Sequence, residues 1–327
     1  MRCLVTGGAG FIGSHLVDAL IKNGHHVSVV DNLSVGRLKN IERHLSSSSL
    51  VFVEADISDR RFIDQLDGDF DWVFHLAALA DIVPSIESPS KYFDANVLGT
   101  LNVAEFARSR SIKKFVYAAS SSCYGIPDKF PTPENSKIDP QYPYALTKYL
   151  AEEMLLHWNQ VYDLPVISLR FFNVYGPRAR TSGTYGAVFG VFLAQKLAGK
   201  PMTIVGDGNQ TRDFTYVTDV CDALIMAADA ANAGQIYNIG SGSTNSVNTL
   251  VELIGGSKVY IPKRPGEPDC TYADISKIRA ELGWSPSVSL VEGVTQMLNV
   301  IDEWRDAPVW DENKIEQATR KWFEYLG

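Results

Sequence analysis

The amino-acid sequence predicts an α/β protein with a doubly wound parallel sheet and a smaller α/β lobe interleaved with it. Three observations support this fold class. A glycine-rich turn follows the first apolar run of the chain. Apolar strand-like runs then alternate with helical patterns through the first half, a rhythm typical of parallel sheets covered by helices. Farther on, Tyr144 and Lys148 lie four residues apart in a helical pattern, which places the phenol and the ammonium on one face.

The composition fits a large folded protein and argues against several classes of function. The 327 residues are 45% hydrophobic and 21% charged, enough to bury a large core. The formal net charge is -8 and no basic run occurs, so we expect no nucleic-acid partner. Cys3, Cys123, Cys221 and Cys270 lack the spacing of metal ligands, which predicts no metal site and a reducing, cytoplasmic setting. The sequence lacks an apolar stretch of about 18 residues and starts its first strand at once, which predicts neither a membrane span nor a signal peptide.

The first element is a buried strand over residues 2–6, followed by the glycine turn and a helix over residues 14–22. Gly7 permits the turn, Gly10 allows the backbone to approach a pyrophosphate, and Gly13 allows helix and strand to pack closely. The amino terminus of the helix offers unpaired N–H groups to phosphates. A glycine turn that only packs is the alternative, but this strand–turn–helix context is the one that a Rossmann-type dinucleotide site requires.

The second strand, predicted over residues 26–30, ends in Asp31. A carboxylate at this point can accept hydrogen bonds from both ribose hydroxyls of NAD and would repel the 2′-phosphate of NADP. Arg37 lies just beyond the strand and is able to tolerate NADP. NAD is favoured by Asp31, and NADP stays open as the alternative.

The rest of the first half continues the alternation of strands and helices. The predicted elements are a strand over 51–53, a helix over 59–66, a strand over 72–76, a long helical region over 90–110 and a strand over 115–119. In such a sheet, ligands bind beyond the carboxyl ends of the strands. Asp56 follows one strand and either accepts a hydrogen bond from adenine or caps a turn. His75 lies in a buried strand, where a histidine more often satisfies a local hydrogen bond than performs chemistry.

Six short motifs occur in order along the chain. They are TGGAGFIGSHL at 6–16, HLAA at 75–78, SSSCYG at 120–125, YALTK at 144–148, LRFFNVYGPR at 169–178 and GDGNQTRDF at 206–214. Together they resemble the extended short-chain dehydrogenase/reductase family, the NAD-dependent epimerases and dehydratases. Within it the chain is similar to the UDP-sugar 4-epimerases, and the resemblance extends from residue 1 to about residue 300.

The resemblance implies a catalytic group of three side chains. Tyr144, as phenolate, would take the proton from the 4-hydroxyl of a sugar while the C4 hydride passes to the nicotinamide. A phenol titrates near pH 10, so this role needs a pKa shift of about three units, roughly 4 kcal/mol. Lys148 would lower the pKa of the phenol and bind the nicotinamide ribose, and Ser120 would hydrogen-bond the reacting oxygen. The keto sugar would then turn over and accept the hydride on its other face.

The resemblance also implies binding residues for NAD and for a nucleotide sugar, most simply a UDP-sugar. For NAD they are Gly7, Gly10, Phe11, Ile12, Gly13, Asp31, Asn32, Asp56, Ile57, Leu76, Ala77, Ala78 and Lys148. For the substrate they are Ser121, Ser122, Asn173, Ala187, Val188, Arg212, Arg264, Glu267 and Thr271. Asn173 and the two arginines resemble side chains that hold the diphosphate, and Glu267 resembles one that binds the ribose.

Structural roles are the alternatives for several of these side chains. An ion pair with Asp213 or Asp219 is the alternative for Arg212. For Arg264 the alternative is a solvated charge, and for Glu267 it is a place in a surface loop. Both interpretations stay open at this point.

The reaction is inferred from what the motifs lack. Family members that eliminate water or carbon dioxide carry carboxylates after the catalytic serine or threonine, where this chain has Ser121 and Ser122. This favours 4-epimerisation over a dehydratase or a decarboxylase. Thr271 and Ala187 stand where members restricted to plain hexoses carry tyrosine and asparagine, and these smaller residues leave space for an N-acetyl group. The chain differs from some epimerases at Ala80, where those proteins have a lysine. A uronic-acid epimerase and a non-catalytic NAD-binding regulator are the remaining alternatives.

The chain is predicted to divide into an NAD-binding domain over residues 1–172, with a return strand near 235–240, and a sugar-nucleotide lobe over 173–327. Helices near residues 90–110 and 143–162 resemble those of the dimer interface of the family. The resemblance therefore implies a homodimer.

The tail beyond about residue 302 is rich in aromatic residues. Ala318, Trp322 and Tyr325 have helical spacing, which predicts an amphipathic helix. We expect this helix to pack on the body of the protein, and a partner site is the alternative.

Overall fold

The computed structural model describes residues 1–179 and 188–327. In chain order the described strands are β1 (Arg2–Thr6), β2 (His26–Asp31), β3 (Leu50–Glu54), β4 (Trp72–His75), β5 (Lys114–Ser120), β6 (Val166–Phe171), β7 (Asn173–Tyr175), β8 (Met202–Val205), β9 (Thr211–Arg212), β10 (Phe214–Tyr216), β11 (Gln235–Ile239), β12 (Asn245–Ser246) and β13 (Lys258–Ile261). The described helices are α1 (Phe11–Lys22), α2 (Ile82–Glu87), α3 (Pro89–Tyr92), α4 (Gly99–Arg108), α5 (Pro143–Tyr162), α6 (Val188–Leu197), α7 (Val217–Asp229), α8 (Val247–Ile254), α9 (Ser276–Leu282), α10 (Leu290–Asn299) and α11 (Glu312–Leu326).

Seven of the described strands form one parallel sheet in the order β11-β6-β5-β4-β1-β2-β3. The chain runs from β1 outward to β3 and then returns to β4 on the other side of β1. The carboxyl ends of β1 and β4 therefore flank the point at which the strand order reverses, where doubly wound sheets bind their ligands. The sheet confirms the predicted fold class.

Buried apolar side chains cover both faces of this sheet. Along β1, Cys3 and Val5 pack into one cluster with residues of α1 and α7, whereas Leu4 packs into a second cluster with residues of α4 and α5. Burial on both faces explains why the strand is continuously apolar instead of alternating. Within the described residues, no helix combines the length and the apolar character that a membrane crossing requires.

The second half of the chain adds small sheets outside the main one. β7 pairs in parallel with β10, β8 pairs in parallel with β13, and β9 pairs antiparallel with β12. Between them, β11 returns to the edge of the main sheet, where Gln235 lies opposite Ile167 of β6. The two halves of the chain are thus interleaved in space. The division at residues 172 and 173 stays a prediction.

The long helical region predicted over residues 90–110 is present, because α3, a π-helical turn and α4 follow one another without a break from Pro89 to Arg108. A π-helical turn, Phe93–Leu98, separates α3 from α4. Its Asn96 side chain binds the backbone of Leu79 through both amide atoms and donates to the hydroxyl of Thr147 on α5 at 3.0 Å. The π-helical turn therefore joins three segments through contacts that are distant in sequence, which a helical residue pattern does not encode.

Three other predicted elements differ in detail. The helix predicted over 59–66 is a 3₁₀ turn, Arg60–Gln65, and α1 begins at Phe11 instead of residue 14. The predicted tail helix is present as α11, but its buried stripe is Ile315, Thr319 and Trp322, and Tyr325 is 62% exposed. The stripe has the i, i+4, i+7 spacing of a helix that packs on a core.

Candidate active site

The glycine turn leaves the amino terminus of α1 facing the switch point of the sheet. Gly7 has a φ of 73°, and a Cβ atom on it would lie 2.7 Å from the backbone nitrogen of Ala77. A Cβ atom on Gly13 would lie 2.1 Å from the carbonyl oxygen of Gly7. Both approaches are too close for a side chain. Gly10 precedes α1 and no described side chain caps the helix, so the N–H groups of its first turn are able to bind phosphate.

A cavity of about 850 Å³ opens at this edge of the sheet. Its lining includes every residue that the resemblance assigned to NAD: Gly7, Gly10, Phe11, Ile12, Gly13, Asp31, Asn32, Asp56, Ile57, Leu76, Ala77, Ala78 and Lys148. Tyr144 lines the same cavity. The residues present therefore fit a dinucleotide whose nicotinamide end lies beside the phenol.

Asp31 ends β2 at this cavity. Its carboxylate accepts hydrogen bonds from the N–H groups of Ala9 at 3.0 Å and Leu33 at 2.9 Å. Burial raises the pKa of Asp31, and these two hydrogen bonds oppose the rise. Arg37, which left NADP open, donates to the carbonyl oxygen of Arg178 at 3.3 Å. The carboxylate lines the cavity while the arginine binds a different segment, an arrangement that favours the ribose of NAD.

Asp56 lines the cavity and also stabilises a turn. Its carboxylate accepts hydrogen bonds from the N–H group of Ser58 at 2.8 Å, from the hydroxyl of Ser58 at 2.7 Å and from the amide of Asn32 at 2.9 Å. Burial alone would raise the pKa of Asp56, and these hydrogen bonds lower it below its ordinary value. The turn interpretation is confirmed, and the adenine contact stays a prediction.

His75 is a structural residue. Its Nδ1 lies 2.7 Å from the hydroxyl of Thr6, and its Nε2 lies 2.8 Å from the hydroxyl of Thr100. Burial lowers the pKa of His75 to about 3, so the ring is neutral under ordinary conditions. The predicted local hydrogen bonding is confirmed.

Ser120, Ser122 and Tyr144 meet at the carboxyl end of β5. Ser120 ends the strand, and its Oγ lies 2.5 Å from the Oγ of Ser122 on the 3₁₀ turn that Ser121 begins. The hydroxyls of Ser120 and Ser122 lie near the phenol of Tyr144, and the interaction with each of them lowers its pKa. Burial raises the pKa of Tyr144, and the hydrogen bond with Ser120 is the largest opposing effect. A half-buried phenol that lines the cavity beside two hydroxyls is placed to exchange a proton with a ligand there.

Lys148 lies one helical turn beyond Tyr144 on α5 and is buried. Its Nζ lies 4.2 Å from the centre of the Tyr117 ring. Burial lowers the pKa of Lys148 to about 7, and the carboxylate of Glu152 opposes this effect. Burial thus makes this amine easier to deprotonate than an exposed lysine, and Glu152 favours its charged form.

A buried ion pair lies behind these residues. Nη2 of Arg170 on β6 lies 2.5 Å from Oε1 of Glu152 on α5, and the two side chains are 3% and 1% exposed. Glu152 also accepts a hydrogen bond from Ser168 at 2.6 Å, and Arg170 donates to the phenol of Tyr124 at 2.9 Å. Burial alone would lower the pKa of Arg170, but Glu152 raises it above its ordinary value. This ion pair joins α5, the helix that carries Tyr144 and Lys148, to β6 of the main sheet.

Three side chains assigned to the nucleotide lie together in the second half. Nη2 of Arg212 lies 3.0 Å from Oε1 of Glu267, and Nε of Arg264 lies 3.8 Å from Oε2 of the same carboxylate. Arg212 thus pairs with Glu267, and the alternative of an ion pair with Asp213 or Asp219 is wrong. Those two carboxylates accept hydrogen bonds from N–H groups of other segments. Arg264 has a side chain only 14% exposed, so it is not a solvated charge.

Asn173 and Thr271 form a second polar contact in this half. The hydroxyl of Thr271 donates a hydrogen bond to Oδ1 of Asn173 at 2.7 Å and accepts one from the N–H group of Asp213 at 3.1 Å. Thr271 is therefore adjacent to a residue assigned to the diphosphate. Val188 is the first residue of α6, and Ala187 lies outside the described residues.

Parts of the large cavity were not predicted. Val191 of α6 and Trp310, which precedes α11, contribute to its lining. Val174 also lines it, whereas its neighbour Asn173 directs its amide to Thr271. Apolar residues carry no chemical signal in a sequence, so their role appears only when the chain is folded.

Sequence reasoning also missed Tyr142. This residue directly precedes α5, and its ring is parallel to that of Tyr144, with centroids 6.4 Å apart. Burial raises the pKa of this phenol, and the nearby hydroxyl of Ser122 opposes the rise. The ring of Trp322 packs against Tyr142 at 6.3 Å. A second tyrosine two residues before Tyr144 was the only signal available.

A dinucleotide cavity at the switch point, with a serine–tyrosine–lysine group at the same edge, defines an enzyme of the short-chain dehydrogenase/reductase class. A model of the NAD dependent epimerase/dehydratase family matches residues 3–240. The chain belongs to this family. It is an enzyme of the family, its cofactor is NAD, and the resemblance read from the six motifs is confirmed.

Individual relatives cover nearly the whole chain. The UDP-glucose 4-epimerase of Mycolicibacterium smegmatis is 39% identical over 305 residues, which span 90% of this chain and 97% of that protein. A UDP-glucose 4-epimerase of Thermotoga maritima, solved with UDP-glucose, has a TM-score of 0.86 at 37% identity and covers 93% of this chain and 99% of its own. A UDP-N-acetylglucosamine 4-epimerase of Methanobrevibacter ruminantium, solved with UDP-N-acetylmuramic acid, has a TM-score of 0.85 at 34% identity, with 91% and 98% covered. These relatives differ in substrate, so they show the family and not the sugar.

Proposed function

We propose that the protein inverts C4 of a UDP-hexose, including UDP-N-acetylhexosamines, through a transient 4-keto sugar. The observation that carries the proposal is the grouping of Tyr144 with the hydrogen-bonded pair Ser120 and Ser122 beside a cavity that fits NAD. Bound NAD supplies a reversible acceptor for the hydride of C4. Similarity to three UDP-sugar 4-epimerases supports the same reaction.

The residues of this chain then handle the proton and the orientation of the sugar. Tyr144 removes the proton of the 4-hydroxyl and returns one when the keto group is reduced. Its hydrogen bonds with Ser120 and Ser122 stabilise the phenolate, and Ser120 also binds the reacting oxygen. Lys148 binds the nicotinamide ribose and adds a positive charge beside the phenol.

The second half of the chain holds the nucleotide. Arg212, Arg264 and Asn173 bind the diphosphate, and Glu267 binds the ribose hydroxyls. In the structure Glu267 lies between the two arginines, so the bound diphosphate takes over part of the charge neutralisation that this carboxylate provides. Arginine suits the task because its planar donors match phosphate oxygens.

The 3₁₀ turn after Ser120 supports epimerisation over elimination. Loss of water or carbon dioxide needs a further acid or base near the sugar, and the turn presents Ser121 and Ser122 at those positions. The hydroxyl of Ser122 is hydrogen-bonded to Ser120. With NAD as the hydride acceptor, reversible oxidation at C4 needs only the proton exchange of Tyr144 in addition.

We further propose that the protein is a cytoplasmic homodimer. Phe93 and Leu98 of the π-helical turn and Leu146 and Leu150 of α5 are 36% to 42% exposed on adjoining helices. A helical interface with a second copy would remove this apolar surface from water. The cysteines are free thiols, consistent with a reducing compartment.

The function is tested by incubating the purified protein with UDP-glucose, UDP-galactose, their N-acetylated counterparts and UDP-glucuronate. Product configuration at C4 is determined by NMR, and product mass by mass spectrometry. We expect inversion at C4 with unchanged mass. A mass loss equal to water or carbon dioxide would instead identify a dehydratase or a decarboxylase, and absence of turnover on every sugar would favour a non-catalytic role.

Replacement of Thr271 by tyrosine should change the preference between plain and acetylated sugars. If Thr271 lines the space of the 2-substituent, a tyrosine fills the volume that an N-acetyl group needs. Overpacking a fitted site costs about 1–3 kcal/mol, so the ratio of kcat/KM values should shift about tenfold to a hundredfold toward the plain hexose. Steady-state kinetics with both sugars measures the shift.

Thr271→Val is the matched control. It keeps the size of the side chain but removes the hydroxyl that binds Asn173. We expect similar effects of this variant on both sugars, because the diphosphate site is common to them. If Thr271→Tyr and Thr271→Val give the same sugar ratio, Thr271 does not lie in the sugar pocket.

A further inference from the structure

The last helix of the chain packs beside the proposed nucleotide site. α11 contacts α2, which belongs to the first half, and the indole Nε1 of Trp322 donates to the carbonyl oxygen of Pro265 at 2.7 Å. Two turns nearer the start of α11, Ile315 packs with Val205 and Ile261 of the small sheet β8–β13. The family model ends at residue 240, so it assigns no role to this helix. α11 thus bridges the two halves of the chain.

Trp322 is the contact between this helix and the proposed diphosphate site. It is 3% exposed, and its ring lies 5.4 Å from the Cζ atom of Arg264, within the range of a cation–π interaction. Another neighbour of the indole is the ring of Tyr142, with centroids 6.3 Å apart, and this ring lies parallel to that of Tyr144 at 6.4 Å. An arginine, an indole and two phenols therefore adjoin one another, from the diphosphate site to the catalytic base.

We propose that Trp322 is a positioning residue for the substrate: it orients the guanidinium of Arg264 for the diphosphate of a nucleoside-diphosphate sugar. The inference rests on the proposed function, in which Arg264 binds that group. The face of the indole attracts the guanidinium of Arg264 without occupying the N–H donors in the guanidinium plane. These donors therefore stay directed at phosphate oxygens of the substrate.

Trp322 would strengthen substrate binding because it orients the side chain of Arg264 before the ligand binds. An arginine side chain has large rotamer freedom, and its loss on binding weakens affinity. The contact of Arg264 with Glu267 is long, at 3.8 Å, and the same carboxylate is paired with Arg212 at 3.0 Å. The indole is fixed in turn by its hydrogen bond to Pro265, the residue next to the arginine. Trp322 and Arg264 thus form one unit with a set orientation.

The test compares Trp322→Phe with Trp322→Leu in the full-length protein. Both variants lose the indole N–H and have similar volume, but only phenylalanine keeps an aromatic face. UDP affinity is measured by calorimetry, and kcat and KM are measured with the best UDP-sugar. We expect Trp322→Leu to weaken UDP binding and raise KM about tenfold while kcat changes less than about threefold. Trp322→Phe should stay within about threefold of the unmodified protein in each quantity.

Two further variants separate positioning from general support of the fold. Tyr325→Ala alters an exposed residue of the same helix and should leave UDP affinity unchanged. In an Arg264→Ala background, Trp322→Phe and Trp322→Leu should bind UDP equally, because the group that the ring orients is gone.

Several outcomes would overturn the inference. Equal UDP affinity of the Phe and Leu variants would exclude a role of the ring face, and a persistent difference in the Arg264→Ala background would exclude Arg264 as the intermediary. If the protein binds UDP but inverts no UDP-sugar, the proposed reaction fails while the Phe–Leu comparison still decides the role of Trp322. If UDP, dTDP and GDP all fail to bind, both are overturned.

Discussion

Tyr144→Phe is expected to lower turnover of the best UDP-sugar by at least about a hundredfold, which corresponds to about 2.7 kcal/mol of transition-state stabilisation. The reason is chemical: the ring stays in place, but the oxygen that exchanges the proton of the 4-hydroxyl is removed. Ser120 and Ser122 remain and still bind each other. KM and NAD content should therefore change little, and kcat should carry the loss.

Tyr142→Phe is the matched control for this experiment. It removes a second phenolic hydroxyl near Ser122, from a ring parallel to that of Tyr144. We expect turnover of this variant to stay within about tenfold of the unmodified enzyme. If Tyr142→Phe were as inactive as Tyr144→Phe, or if Tyr144→Phe kept more than a tenth of the activity, the assignment of the base would be wrong.

Arg170→Met should cause the largest loss of stability among the substitutions considered. It leaves Glu152 in a site 1% exposed with its charged partner removed. Removing one member of a buried ion pair costs about 3–5 kcal/mol, because the remaining charge is desolvated without compensation. Urea unfolding at neutral pH measures the change in the free energy of unfolding, and the midpoint should fall without a change in slope.

The double variant Glu152→Gln/Arg170→Met tests the origin of that loss. It removes both charges, so we expect it to be more stable than Arg170→Met alone, by at least about 1 kcal/mol. The amide can still accept the hydrogen bond of Ser168. A double variant no more stable than Arg170→Met would show that lost packing, and not an unpaired carboxylate, causes the effect.

The parts of the fold that depend on neighbouring residues were predictable from the sequence. The glycine turn, the carboxylate of Asp31 after β2 and the pair of Tyr144 and Lys148 on α5 are each encoded within a few residues. Their meeting in one cavity follows from the rule that parallel strands end at one edge of the sheet. Because the motif order resembles a known family, the positions assigned to NAD could also be transferred one by one.

What could not be predicted depends on contacts between distant segments. The π-helical turn is stabilised by Asn96, which binds Leu79 and Thr147, and no periodic pattern signals that arrangement. The partner of Arg212 is Glu267 in space, although carboxylates lie much nearer to it in sequence. Spacing alone suggested a buried stripe through Tyr325, whereas packing against the 264–267 loop selects the stripe through Trp322.

β11 is the last strand of the main sheet to be synthesised, and this order affects the folding of the nascent chain. Until the ribosome has passed Ile239, the main sheet ends at β6, a strand whose six residues are all buried in the finished protein. An open apolar edge of this kind pairs readily with other chains. Nascent or proteolysed chains that end before β11 are therefore expected to need chaperone protection and to aggregate without it, even though they carry the complete glycine turn and Tyr144.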